Sequence, residues 1–235
     1  MNPITWTRTQ RRSVHAGGAV CWALAWVGLV GLLGGCVIGN EETIKKSQGY
    51  YQEGLASLEQ DRQKAFVAFQ KSVQLNPNNK ESRYALGHVY ALQGKLTKAE
   101  GEFRAAVNID GDYSEAHTYL GQVLANQSRW DDAISCYRQA LSNPLYATPD
   151  LARFHLGRAL AHKGDYQGSM EALEDAMTVS PPSIPPAMTN LELGRVYYKL
   201  GYTERAREAL KKVTTLDKGG EYAAAATELL ARLKQ

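Results

Sequence analysis

The sequence predicts an all-α fold: a superhelical solenoid of antiparallel helix pairs with a capping helix at its C-terminal end. Three observations predict it. Leu86-Gly87, Leu120-Gly121, Leu156-Gly157 and Leu193-Gly194 recur at spacings of 34, 36 and 37 residues. Behind each pair, small and large apolar residues return at fixed offsets. Pro77, Pro144, Pro149, Pro181, Pro182, Pro185 and Pro186 all fall between the expected helices, where they stop a helix rather than kink one.

The first element, residues 1–35, reads as an address. Arg8, Arg11 and Arg12 precede an uncharged run from Ala16 to Ile38. A basic start, an apolar stretch and a small-residue end describe a secretory signal. The run closes on Leu33-Gly34-Gly35-Cys36, which resembles the bacterial lipobox. That resemblance implies a diacylglyceryl group on the Cys36 thiol, cleavage just before Cys36 and N-acylation of the new amine. Several acyl chains at about 0.8 kcal/mol per buried CH₂ anchor stably where one would be marginal. An uncleaved signal-anchor helix is the alternative, because the run has about the 20 residues needed to span a bilayer. Gln10-Arg11-Arg12-Ser13 is a weak twin-arginine pattern. Each of these places the rest of the chain outside the cytoplasm. Val37, where an Asp would favour inner-membrane retention in enterobacterial lipoproteins, points to the periplasmic side of the outer membrane.

The next element, residues 36–47, is a short polar tether or leading helix. The repeats follow over 48–218. Tyr90, Gly94, Ala99, Phe103 and Ala106 keep fixed offsets from Gly87, and Leu124, Ala133, Tyr137 and Ala140 take the matching places in the next unit. Leu160, Gly164, Ser169, Leu173 and Ala176 repeat them, as do Tyr197, Gly201, Ala206, Leu210 and Val213. An earlier unit carries Gly54, Ala65, Phe69, Ser72 and Pro77, one residue shorter in its turn. This pattern resembles the tetratricopeptide repeat, in about five units. Small residues let two antiparallel helices approach, and large ones fill the space between units. No unit can bury its apolar face alone, so the units stack. After Gly219-Gly220, residues 219–235 supply a capping helix rich in strong helix formers, with Glu221, Glu228, Arg232 and Lys234 on its outer face.

Composition narrows the function. The chain has 235 residues, is 44% hydrophobic and 22% charged, and carries a net charge of +3. The excess lies in residues 1–35, which hold three Arg and no acidic residue, so the remainder is formally neutral. Nothing here is a nucleic-acid arm. Cys21 leaves with the signal and Cys36 takes lipid, so Cys136 remains alone, reading as a small buried apolar residue. No HExxH, CxxC, GxSxG or phosphate-binding glycine loop is present, and His88, His117, His155 and His162 lack the spacing of a metal site. The expectation is a non-enzyme without metal, cofactor or small-molecule substrate.

Binding is what such repeats support. Helix phase puts Tyr51, Leu55, Leu58, Tyr84, His88, Leu92, Gln122, Asn126, Phe154, Arg158, His162, Leu191, Arg195, Tyr198 and Lys199 along one concave groove. It would be aromatic throughout and cationic towards its C-terminal half, suiting a peptide with an acidic or C-terminal end near Arg158, Arg195 and Lys199. The longer connections, 142–150 and 180–187, form a second surface with Leu145, Tyr146 and Ile184 either presented outward or tucked beneath the loops.

Asn143-Pro144-Leu145-Tyr146-Ala147-Thr148-Pro149, continuing through Ala152, Leu156-Gly157 and Gly164-Asp165-Tyr166, resembles a segment of the type IV pilus biogenesis lipoproteins, the pilotins of the pilus secretin. That family also has a lipobox and about six helix pairs. Where it commonly carries Asn-Asn-Tyr-Gly, this chain has Thr118-Tyr119-Leu120-Gly121. The resemblance implies an outer-membrane lipoprotein that binds secretin subunits and assists their assembly. A repeat lipoprotein of another envelope machine (polysaccharide export, outer-membrane protein assembly or cytochrome maturation) is the alternative.

Overall fold

The computed structural model describes residues 40–233. The expected signal segment, Cys36 and its lipid lie outside the described residues. The chain divides into two compact units, 1–45 and 46–235. Residues 40–45 of the first are helical.

The second unit opens with helix α1, residues 46–57. Ten helices follow: α2 (Arg62–Leu75), α3 (Lys80–Leu92), α4 (Leu96–Ile109), α5 (Ser114–Asn126), α6 (Trp130–Ser142), α7 (Pro149–Lys163), α8 (Tyr166–Ala176), α9 (Pro186–Lys199), α10 (Thr203–Leu216) and α11 (Glu221–Arg232). Among the described residues there is no strand, and no helix is long and apolar enough to cross a membrane. Consecutive helices pair, α3 with α4, α5 with α6, α7 with α8 and α9 with α10, and each pair packs on the next. Helix α11 packs on α9 and α10.

The repeated residues explain the pairing. A Cβ on Gly87 would meet the Phe103 ring at 2.9 Å, on Gly121 the Tyr137 ring at 2.5 Å, and on Gly157 and Gly194 the side chains of Leu173 and Leu210 at 2.6 Å. The first helix of each pair is thus bare where the second inserts its largest side chain. Those side chains are buried, Phe103, Leu173 and Leu210 completely and Tyr137 to within 1% exposure. Each contributes roughly 1.5–3 kcal/mol by leaving water.

Capping sets the helix ends. Asp61, Asn79 and Asp165 accept hydrogen bonds from the backbone N–H of Lys64, Ser82 and Gly168, supplying partners for donors that the first turn leaves free. The turn inside each pair from α3–α4 to α9–α10 contains a residue with positive φ. Gly94, Gly164 and Gly201 supply it at φ 70°, 83° and 78°, whereas the α5–α6 turn forces Ser128 to φ 62°.

Polar contacts at the start of the stack are also matched. Ser47, on α1 and completely buried, donates to the Ser72 carbonyl at 2.9 Å, while Ser72 Oγ lies 2.6 Å from Ser82 Oγ. Three small hydroxyls thereby join α1, α2 and α3 without an orphaned polar group.

Candidate functional site

The groove on the first helices has two different halves. In the N-terminal half the expected residues are half-buried and packed on one another. Tyr84 lies 5.6 Å from Tyr119 and 5.3 Å from Tyr113, ring to ring, and His88 stacks edge-on against Tyr119 at 5.2 Å. Tyr51 tilts against Phe69 at 6.1 Å. Burial pushes the Tyr84 and Tyr113 hydroxyls well above the usual phenol range, and it lowers His88. These rings cement one repeat to the next while keeping an exposed edge. Leu55 and Leu92 are more open, at 42% and 54% exposure.

The C-terminal half is a true depression. Gln122 and Asn126 of α5, Trp130 of α6 and Arg158 and His162 of α7 surround a cavity of about 230 Å³. Arg158 and His162 also border a second cavity, of about 400 Å³, whose other walls include Arg195, Tyr198 and Lys199 of α9. The two share that border and together make up the channel side of this half of the groove. Tyr198 is 47% exposed beside it. His162 lies flat on Trp130, 4.1 Å between centroids and 8° from parallel.

Two of the expected groove residues do not face this channel. Phe154 is 1% exposed and Leu191 is 5% exposed, so both are corrected to core positions. Phe154 packs with Met170, Leu173 and Val196, between the fourth and fifth pairs. Leu191 packs with Leu210, Val213 and Ala226, beneath the capping helix. Each stands four residues before an arginine of the channel, and at 3.6 residues per turn every four-residue step rotates the stripe by about 40°, which carries its first position round to the neighbouring helices. Phe154 still acts on the site from below, since the Arg158 guanidinium rests 5.8 Å over its ring.

Four contributors were missed. Trp130 begins a second helix, outside the stripe counted on first helices. Leu229 and Arg232 reach the larger cavity from α11. Glu192 lies between Arg158 and Arg195, with its Oε1 2.9 Å from Arg195 Nη1 and 3.8 Å from Arg158 Nε. The only sequence signal for it was its three-residue separation from Arg195, a helical ion-pair spacing. The channel is cationic, as expected, but it contains this one carboxylate.

The connecting loops sort differently. Leu145 is 87% exposed, while Tyr146 is 7% exposed and turns inward to share a 2.9 Å hydrogen bond with Thr118 Oγ1. Leu145 N–H donates to Asn143 Oδ1 at 2.9 Å, and Asn143 Nδ2 donates to the Asp112 carbonyl at 3.0 Å. Ile184 is half-buried, packed against the core of the fourth and fifth pairs. Asp150, 1% exposed in the first turn of α7, accepts from Ser183 N–H at 2.5 Å and Ile184 N–H at 3.3 Å, so the start of α7 holds the second long connection.

Little here can do covalent chemistry. Burial pushes the Cys136 thiol up to about 11, which keeps it protonated and unreactive. His155, largely buried beside Arg158, is lowered to about 4, mainly by burial. Among the described residues no three His, Cys, Asp or Glu side chains gather as a metal site. The arrangement is one of shape and charge, suited to holding an extended polypeptide.

Tetratricopeptide-repeat family models match residues 56–123, 118–183 and 189–219. The chain is a tetratricopeptide-repeat protein. The matches span the helix pairs that build the channel, and none belongs to an enzyme family. Among curated relatives, this repeat protein is 25% identical over 179 residues to the BBSome complex member BBS4 homolog of Drosophila melanogaster, covering 72% of this chain and 36% of that one. It is 26% identical over 132 residues to the type IV pilus assembly protein PilF of Pseudomonas aeruginosa, covering 53% and 52%. It thus spans about a third and about half of the length of these two relatives. Among solved structures, the type IV pilus biogenesis factor PilW superposes with a TM-score of 0.68 at 21% identity, over 80% of this chain and 92% of that one. The repeat protein is therefore similar to type IV pilus assembly factors, and its fold is that of a protein-interaction scaffold.

Proposed function

We propose that this protein is a lipid-anchored scaffold that assists outer-membrane localisation and assembly of the type IV pilus secretin, in the manner of a pilotin. The observation that carries the reading is the channel across α5, α7 and α9. Its walls are aromatic and cationic, and its two depressions, of about 230 and 400 Å³, have room for the side chains of a bound segment. The similarity to PilF and PilW supports the choice of machine. Leu33-Gly34-Gly35-Cys36 supports the anchor, with acyl chains on Cys36 as the membrane address. Tethering raises the local concentration of the bound secretin segment at the membrane, which favours assembly without any new contact. The partner's acidic or C-terminal end sits near Arg158, Arg195 and Lys199.

One complementation experiment tests both parts. A deletion strain is supplied with the wild-type gene, with Cys36→Ala or with Arg158→Glu/Arg195→Glu, and secretin multimers in the outer membrane are measured. The wild type restores them. Cys36→Ala leaves them low because the address is gone. The double charge reversal lowers partner affinity roughly tenfold or more while the protein still reaches the membrane. Normal multimers in the deletion strain itself would assign the scaffold to another envelope machine.

A further inference from the structure

Apolar side chains are exposed along one edge of the stack, away from the channel. Consecutive helices are antiparallel, so second helices end where first helices begin. The hydroxyls of Ser47, Ser72 and Ser82, from the start of α1, the end of α2 and the start of α3, meet on that edge. The residues that close α6, α8 and α10 on it include Leu145, 87% exposed, Met177, 42%, and Leu216, 55%. Met177, Pro186 and Leu216 wall a groove of about 430 Å³ between the fourth and fifth pairs, bordered by Lys211 and Lys212 and by no carboxylate. Lys218 is exposed in the turn that follows. Asp217, beside it, accepts from the N–H groups of Tyr222 and Ala223, so its carboxylate is committed to α11. Glu208 lies a turn further back, on the neighbouring cavity. The two uncharged polar side chains of the groove are satisfied within it: Thr215 Oγ1 donates to the Lys211 carbonyl at 3.2 Å, and Asn190 Nδ2 donates to the Pro186 carbonyl at 2.8 Å.

Three arguments select a phospholipid surface as the occupant. A peptide laid in the groove would need partners for its backbone, and neither Thr215 nor Asn190 offers a free donor. Lysines set beside exposed hydrocarbon suit a headgroup layer, where the ammonium groups reach phosphates while the stems and apolar neighbours sink below them. The third argument is covalent. The chain enters the stack on this edge, at α1, only ten residues after Cys36, which is at most about 36 Å of extended chain. The opposite edge lies one helix length further off, about 20 Å for 13 residues. We propose that Leu145, Met177 and Leu216, with Lys211, Lys212 and Lys218, form a second membrane contact, through which the far end of the stack rests on a bilayer surface carrying anionic phospholipid. This rests on the reading of Cys36 as the lipid anchor and adds an orientation to it. A leash at one end lets the stack swing, whereas a second contact at the other end holds the channel at a set angle to the bilayer. Ile109 is exposed on the same edge, but Asp110 and Asp112 follow it, and an anionic surface repels them. The contact therefore belongs to the C-terminal half of the edge.

The test uses the mature chain, made in a bacterium that acylates lipoproteins and reconstituted in vesicles of phosphatidylethanolamine and phosphatidylglycerol that contain a spin-labelled phospholipid. A fluorophore is attached through Leu216→Cys or, on the opposite edge, through Tyr202→Cys, both at exposed positions. Burial keeps the Cys136 thiol protonated and out of the labelling reaction. The spin-labelled lipid quenches the fluorophore at position 216 about threefold or more above that at position 202. Adding Lys211→Glu and Lys212→Glu to the Leu216→Cys chain lowers its quenching to the level at position 202, while flotation shows the chain still bound to the vesicles. Thermal unfolding checks that each labelled chain is folded. Equal quenching at the two positions in a folded chain that floats overturns the inference alone. Charge reversal that leaves the quenching at position 216 unchanged also overturns it, because the lysines are part of what selects a phospholipid surface. A mature chain that carries no acyl group and does not float defeats the anchor reading, and the inference falls with it.

Discussion

At the scale of single residues, two glycines in helix interiors have opposite roles. Gly121 of α5 sits where an added Cβ would be 2.5 Å from Tyr137 Cε1, and that ring is 1% exposed with nowhere to retreat. Gly101 of α4 is exposed and has nothing within 4 Å of an added Cβ. Alanine in a helix interior is worth about 1 kcal/mol over glycine, whereas overpacking a filled core costs about 1–3 kcal/mol. Gly101→Ala is thus expected to stabilise by about 0.5–1 kcal/mol, and Gly121→Ala to destabilise by about 1–2 kcal/mol after the propensity gain is set against the clash. Urea denaturation of both variants measures this pair of signs, and a stabilised Gly121→Ala would show that the repeat glycines are not contact sites. The repeated glycine was legible because its contact partner repeats with it. Phe154 and Leu191 were not correctly legible, because a large apolar residue on a first helix reads alike whether it lines a channel or packs between pairs. Glu192 was hidden for a related reason. A charged residue flanked by Leu191 and Leu193 says nothing about which cations the next helix brings to it.

At the scale of elements, the departures from even spacing mark the connections that fasten one pair to the next. The spacings of 36 and 37 identify longer connections, and the structure shows what each does. Residues 143–148 turn Tyr146 inward and hold Leu145 out. Residues 180–187 are held by Asp150, which is 1% exposed and accepts from Ser183 and Ile184 N–H. This tie joins residues 33 and 34 positions apart, a separation at which sequence pattern carries no pairing information. Asp150→Ala leaves two backbone donors without their acceptor, an expected loss of about 1–3 kcal/mol. Asp150→Asn keeps a carbonyl oxygen in place and loses less. Hydrogen exchange read by mass spectrometry should show faster exchange confined to residues 180–187 in the alanine variant. Equal effects of alanine and asparagine would mean that the tie is not what orders the connection.

At the scale of the whole molecule, a stack of pairs is stable only where each pair is covered by the next, so its ends decide how much of it survives a perturbation. Helix α11 covers the last pair. Leu210 and Val213 are completely buried and Leu191 is 5% exposed, packed in one cluster with Ala226 and with Tyr222, Leu229 and Leu230 at its margin. Removing residues 219–235 exposes that cluster while leaving the contacts of α3–α6 untouched. In a globular core the loss would be shared, but in a one-dimensional stack it stays local. The expected outcome is loss of exchange protection in α9 and α10, progressively weaker effects in α7 and α8, and unchanged protection in α3–α6. The same truncation removes Leu229 and Arg232 from the larger cavity, so affinity for the partner segment should fall together with protection of α9. Uniform loss of protection along α2–α10 would instead mean that the repeats fold as one cooperative core, and that the cap acts on the channel through the whole stack rather than through the pair it touches.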